Sequence, residues 1–310
     1  MASEERKGLL LALVGFAILS IGDGIAKSMV AQWSPVAIAT LRYVFALVGL
    51  SALMRTRSRS EPLVPAAQKG WHAVRGLAVA LGASAFFTAL SLMPLAEATA
   101  ITFTSPMLAS LLAAFFLGEP IQRRTVFATA VAFAGVVLIL KPNLAEAGLA
   151  ALLPMVTAST TAIMIIGNRK TAGTGSGLAM QFYMVLIATP LLVLPLLAGH
   201  LSGEPAFHVA VPDWTVIARC AVLATSASIG HYLIFRATTL AGAAVVAPMM
   251  YGQLLVAMLI GWFWFSELPD LMALSGAALI VAAGIVMLGI LNISTVTQWR
   301  RGRRKASLDG

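Results

Sequence analysis

The chain has 310 residues, of which 59% are apolar and only 11% are charged, and its mean hydropathy is +0.91. Soluble domains have about 45–50% apolar and about 25% charged residues, so this chain could not cover a soluble surface. An ordinary cytosolic enzyme, a disordered protein and a disulfide-built secreted domain are excluded. The single cysteine, Cys220, allows neither an intrachain disulfide nor a cysteine-built metal site. The formal net charge of +9 would suggest nucleic acid on a soluble protein. Here the basic residues sit in short segments between long apolar runs, the signature of membrane orientation.

A bilayer core of about 30 Å takes about 20 helical residues. Ten apolar runs of that order follow one another: 8–27, 35–54, 75–93, 95–117, 123–140, 147–166, 177–198, 214–238, 241–265 and 271–291. Alternation of period two is absent and the runs are too long for barrel strands. Only closed helices satisfy the backbone in lipid, so each run predicts a transmembrane helix and the fold class is all-α. The first run has a charged start but no A-x-A-like cleavage site, and it continues into Gly22-Asp23-Gly24. It predicts a retained helix rather than a cleaved signal. Pro94 and Glu97 separate the third run from the fourth; Arg236 and Gly242 separate the eighth from the ninth.

With the N-terminus inside, ten alternating helices place 17 of the 21 Lys and Arg residues in inside segments and leave Lys27 and Lys141 outside. That imbalance predicts an inner (plasma) membrane protein with both termini cytoplasmic. The basic tail 300–305 then faces anionic lipid headgroups, or else a partner protein. Trp33, Trp71, Trp214 and Trp299 at span edges read as interface anchors.

The sequence repeats itself. Residues 91–106 (SLMPLAEATAITFTSP) align with 239–254 (TLAGAAVVAPMMYGQL) at an offset of 148, which also pairs Glu119 with Glu267 and Gly82 with Gly230. Leu41-Arg42-Tyr43 aligns with Gln181-Phe182-Tyr183. The organisation is a short N-terminus (1–7), two five-helix repeats (8–141 and 142–291) and a basic tail (292–310). Five is odd, so the copies cross the membrane in opposite senses. Inverted repeats of this kind are a transporter feature.

The second helix reads Pro35-x-x-Ile38-Ala39-x-Leu41-Arg42-Tyr43. The fourth reads Thr104-Ser105-Pro106, then Ala113-Ala114-Phe115-Phe116-Leu117-Gly118-Glu119-Pro120, and the second copy reads Gly261-Trp262-Phe263-Trp264-Phe265-Ser266-Glu267. These motifs, in this order over nearly the whole chain, resemble the drug/metabolite transporter superfamily, specifically its EamA-type ten-helix members. Leu254 and Ser266 depart from the proline and glycine usual there. The resemblance implies helices 1–4 and 6–9 around a central cavity, with helices 5 and 10 as peripheral supports. It also implies alternating access and export of a small metabolite, notably an amino acid. A nucleotide sugar, a triose phosphate or S-adenosylmethionine are the alternatives it offers.

Ionisable residues inside a membrane are functional candidates by default. Asp23 is either paired with Lys27, four residues on, or is a site for a substrate ammonium or a proton. Arg42 is either a structural partner of Asp23 or the capture point for a substrate carboxylate. His231 is either a packing histidine, a cavity residue or a proton carrier. Pro106 and Pro248 each free a backbone carbonyl in mid-helix, which is tolerated where a cavity is lined. Thr102, Ser105, Tyr251 and Gln253 around these breaks are therefore the predicted central site. Phe103, the repeat mate of Tyr251, offers an aromatic face or simple packing. Tyr43 and Tyr183 are repeat mates whose hydroxyls need partners. Gln181, the polar run Ser159-Thr160-Thr161 and several methionines read equally as helix packing.

Enzyme chemistry finds little support. His208 and Asp213 form an H-x-x-x-x-D pattern, Gly173-Thr-Gly-Ser-Gly177 only mimics a nucleophile elbow, and no P-loop exists. Glu119 and Glu267 fall at opposite faces of the membrane, which excludes a paired-carboxylate site. The sequence thus predicts a secondary transporter with no cofactor and no metal, its partners being a small-molecule substrate and membrane lipids and not nucleic acid. The oligomeric state stays open, with a monomer favoured.

Overall fold

A computed structural model describes residues 2–57, 67–118, 123–171, 173–204, 208–241 and 247–287. The described residues form helices α1 (Ala2–Lys27), α2 (Pro35–Arg57), α3 (Lys69–Leu90), α4 (Leu95–Thr102), α5 (Ser105–Leu117), α6 (Arg123–Ala147), α7 (Leu153–Lys170), α8 (Gly177–Leu201), α9 (Trp214–Ala241), α10 (Tyr251–Phe265) and α11 (Leu271–Met287). Short 3-10 turns, Gly148–Leu152 and Ala247–Met250, lead into α7 and α10. Among them, seven helical stretches are long and apolar enough to cross a membrane, with α4 and α5 acting as one span. Three shorter apolar helices, in α6, α10 and α11, make up the ten. Leu77, Leu81, Val137, Leu194 and Phe263 point outward and exposed. On a soluble protein they would be a liability; on a lipid-facing surface they are the expected solvent contact.

The packing respects the repeat. α1 lies mainly on α9 and α3 on α7, while α2 meets α8 and α6 meets α11. Exchanging the two copies turns the first of these pairings into the second and each of the others into itself. Close crossing depends on small residues. A Cβ on Gly230 would stand 3.0 Å from the Gly15 carbonyl oxygen, and one on Gly15 would stand 3.0 Å from the Gly230 carbonyl. Its repeat mate Gly82 does the same work where α3 crosses α7, with its carbonyl accepting from Thr157 Oγ1 at 3.2 Å.

Several boundaries differ from the sequence reading, each for a local reason. The run 95–117 is two helices. Pro106 lacks an N–H and its ring excludes a normal turn before it, so the chain tightens through Phe103 and Thr104 with 3-10 bonds such as Thr104 N–H to Ile101 O at 3.1 Å. Pro248 sits in the 3-10 turn Ala247–Met250 before α10, a few residues earlier in the second copy than the break at Phe103 and Thr104 in the first. α3 begins at Lys69, not 75, because basic residues do not stop a helix that emerges into the polar zone; Arg75 is therefore inside the helix and buried. α9 runs through Arg236 to Ala241, and α6 runs through Lys141 to Ala147. α7 starts at Leu153, where Pro154 suits a first helical turn.

The ends of α5 and α10 carry the motif noted above. Gly118 closes α5 in the left-handed region (φ 68), and Ser266 closes α10 in the same conformation (φ 55). The substitution for glycine leaves the geometry intact. Glu119, the terminal tryptophan Trp299, the basic tail 300–305 and Gly242 lie outside the described residues.

Candidate substrate site

Between α1, α2, α3, α7, α8 and α9 lies a cavity of about 600 Å³. It reaches Asn168, Gly175 and Gly177 at the end of the bundle where α7 passes into α8. Its polar lining is small and convergent, the pattern of a small-molecule site. Asp23 enters from α1, Arg42 and Tyr43 from α2, Arg75 from α3, Gln181 from α8 and His231 from α9. Phe86 and Phe87, whose rings stand at 77° with centroids 6.4 Å apart, give an apolar wall, and Met164, Met180 and Met184 give an adaptable one. A second, more apolar cavity of about 500 Å³ beside α2 and α9 shares Gly177, Gln181, His231 and Phe235 with it.

Arg42 is held over two aromatic rings, 5.1 Å from that of Tyr43 and 5.8 Å from that of Phe87. Cation–π contact orients a guanidinium without neutralising it. Its charge acts on both Asp23 and His231, but no Asp23–Arg42 ion pair forms within 4 Å. Asp23 instead accepts from Gln253 Nε2 at 3.2 Å, and Ser20 Oγ donates to the Gln253 carbonyl at 3.1 Å. The site thus presents a carboxyl group and a guanidinium on one cavity, each with bonding capacity left for a ligand.

The expected Asp23–Lys27 pair is absent. Lys27 Nζ turns away from the cavity, 2.6 Å from Glu267 Oε1, and donates to the Met93 carbonyl at 2.7 Å. Glu267 also accepts from the Leu95 N–H at 3.1 Å, at the start of α4. This cluster joins both copies at the end of the bundle opposite Gly175. Arg219 ties α9 to α1 at the same end, through Ser28 and Gln32. Trp33 Nε1 donates across it to Ala210 O at 2.8 Å. Bonds between the two repeats thus gather at one end of the bundle, and the cavity reaches the other.

The predicted site residues divide. Asp23, Arg42, Tyr43 and His231 line the cavity. Thr102, Phe103, Ser105, Tyr251 and Gln253 do not; the first three lie at the α4–α5 break, and the last two in α10, which packs on α1 and α4. Phe103 and Tyr251 are buried in the core and touch each other edge to face, with centroids 5.8 Å apart. Ser105 is buried, and Thr102 Oγ1 returns its hydrogen bond to Thr99 O at 2.7 Å. At the Pro106 break the chain makes 3-10 bonds through Phe103 and Thr104, and Pro106 does not line the cavity. Tyr183 is fully buried behind the cavity, edge-on to His72 at 5.2 Å. Arg75, Phe86 and Asn168 were not singled out by sequence. Arg75 looked like a loop charge, although His72-x-x-Arg75-Gly76 has the spacing of one helix face.

Asp213 of the H-x-x-x-x-D pattern caps α9. Its Oδ1 accepts from the Thr215 N–H at 2.7 Å, and this bond holds its carboxyl below the usual carboxylate range. His208 packs against His200 instead, with ring centroids 5.1 Å apart.

Comparison with known proteins agrees with the architecture. The model of the EamA-like transporter family matches twice, over residues 6–141 and 148–289. The chain is 28% identical over 284 residues to an S-adenosylmethionine uptake transporter of Rickettsia bellii, covering 90% of this chain and 91% of that protein. It is 26% identical to a riboflavin transporter of Vibrio cholerae (87% and 86% covered) and 26% identical to a pseudopaline exporter of Pseudomonas aeruginosa (91% and 96% covered). A solved crystal structure superposes with a TM-score of 0.56 at 19% identity, covering 93% of this chain and 96% of that chain, a likeness of fold. Two family matches that together take in almost every described helix lead to one conclusion: this chain belongs to the EamA-like transporter family, within the drug/metabolite transporter superfamily.

Proposed function

We propose that the chain is a secondary transporter of an amphipathic, carboxylate-bearing metabolite of the size and kind of S-adenosylmethionine. The observation that carries this reading is the joint placement of Asp23 and Arg42 on one cavity beside Phe87 and Tyr43. Arg42 would take the carboxylate, Asp23 a cationic group, and the apolar side at Phe86 the body of the molecule. The volume of about 600 Å³ lies within the usual range of roughly 300–1,000 Å³ for ligand pockets. A free amino acid would satisfy the same two charges and is the second reading. It would leave the aromatic wall and much of the volume uncovered.

With both termini cytoplasmic, the open mouth faces the cytoplasm and the Lys27–Glu267 end faces outward. Alternating access would then exchange the conformations of the repeats 8–141 and 142–291. The test is counterflow of labelled S-adenosylmethionine and a panel of amino acids in proteoliposomes, with Arg42→Ala and Asp23→Asn alongside. Counterflow of S-adenosylmethionine that is lost in Arg42→Ala supports the first reading. Counterflow of an amino acid alone supports the second, and counterflow of neither refutes both.

A further inference from the structure

Arg75 stands apart from the groups used so far. It is 4% exposed, lines the mouth side of the cavity and sits in a span where an unneutralised charge is costly. Its Nε donates to Asn168 Oδ1 at 2.7 Å, Nη1 approaches His72 Nδ1 at 3.0 Å and Nη2 donates to the Met180 carbonyl at 3.2 Å. Every one of these partners is neutral once His72 accepts at Nδ1 and gives its Nε2 proton to Thr174 Oγ1, 3.2 Å away. Among the described residues no carboxylate pairs with it. The contacts use three of the five guanidinium N–H donors and leave two. Gly167 makes the placement possible, because a Cβ there would collide with the Arg75 side chain. The guanidinium is thus oriented by three helices, desolvated and left without a counter-charge, on the wall of a cavity.

We infer that Arg75 is an anion-binding residue of this site, taking a carboxylate or phosphate of the transported molecule while the cavity is open at this end. That the anion belongs to a transported molecule rests on the function proposed above. Arg42 already shares its field with Asp23, so an incoming anion meets the larger unmatched charge at Arg75. Selection for an anionic group is then made at the mouth, before the substrate reaches Asp23 and Arg42.

The purified full-length chain would be titrated with three matched pairs: glutamate and glutamine, S-adenosylmethionine and its decarboxylated analogue, riboflavin 5′-phosphate and riboflavin. In the unaltered protein at least one pair should favour the carboxylate- or phosphate-bearing member by about tenfold to a hundredfold, the range for a charged hydrogen bond. Arg75→Gln should shrink that preference to the share that Arg42 supplies and leave the other member's affinity nearly unchanged. A purely structural clamp would weaken both members equally, and that result overturns the inference. So does the absence of any preference in the unaltered protein, or its undiminished survival in Arg75→Gln. Should Arg75→Gln fail to fold, Gly167→Ala displaces the guanidinium at constant charge, and the preference should fall there too; if it is unchanged, the inference is wrong. Failure of S-adenosylmethionine to bind at all would count against the proposed substrate and leave the other two pairs to decide on Arg75.

Discussion

Lys27, the last residue of α1, and Glu267, two residues beyond α10, form a largely buried ion pair that joins the two repeats at the end away from the cavity mouth. The pair is fully bonded: Met93 and Leu95 of the α3–α4 corner meet its two members. Removing one member of a buried pair strands the other, at a cost of about 3 kcal/mol. Lys27→Met should therefore lower thermal stability in detergent clearly, and Lys27→Met with Glu267→Leu should recover most of it. A single-cysteine reporter at Ser91, in the Cys220→Ala background, should label faster in Lys27→Met than in the parent. Unchanged labelling would mean the pair does not hold this end shut.

Asp23 and Arg42 should behave unlike Gln253. Asp23→Asn and Arg42→Gln each delete a charge on the cavity and should lower transport by at least about tenfold with the fold intact. Gln253→Leu removes one hydrogen bond to Asp23 from outside the cavity and should lower transport less. Initial uptake rates in proteoliposomes, normalised to folded protein, decide the order.

Ser266 holds a left-handed conformation that its repeat mate Gly118 holds without strain. A non-glycine residue there costs roughly 1–2 kcal/mol, partly offset by the stiffer unfolded chain. Ser266→Gly should stabilise the protein by up to about 1 kcal/mol, while Gly118→Ser should do the reverse. Thermal melts of both variants make the comparison.

Asp213 gives a pH dependence of known sign. The Thr215 N–H and hydroxyl hold its carboxyl below its ordinary value, so the ionised form is favoured by folding. Its contribution is full above the unfolded value near 4 and is lost as pH falls through the folded one. The stability gap between the unaltered protein and Asp213→Ala should be constant from neutral pH down to about 5 and shrink below about 4. A gap that grew on acidification would contradict the cap.

Much of the fold was legible because lipid imposes one rule on every span. Run lengths located the ten helices, and the offset of 148 found mates that do the same job, Gly82 with Gly230 and Gly118 with Ser266. The lining of the cavity was legible only in part. Asp23, Arg42, Tyr43 and His231 stood out because charge and polarity are expensive in lipid. The helix breaks pointed elsewhere: Pro106 does interrupt its helix, but the residues around the break pack in the core, Phe103 against Tyr251, rather than on the cavity. Arg75 was hidden because a basic residue near a span end looks like an orientation signal. Only tertiary packing, through Asn168, His72 and Met180, turns it inward.

The glycine crossings carry a consequence for energetics between states. Gly230 meets backbone and Leu19, whereas Gly82 meets the side chain of Thr160. Two identical fulcrums would let a mirrored pair of halves rest equally well either way. These are unequal, since a hydroxyl-bearing neighbour can re-bond as the crossing tilts and a carbonyl pressed against a second glycine cannot. In the alternation proposed above, unequal crossings would give the two states unequal energies, a bias that substrate binding would have to offset in one direction.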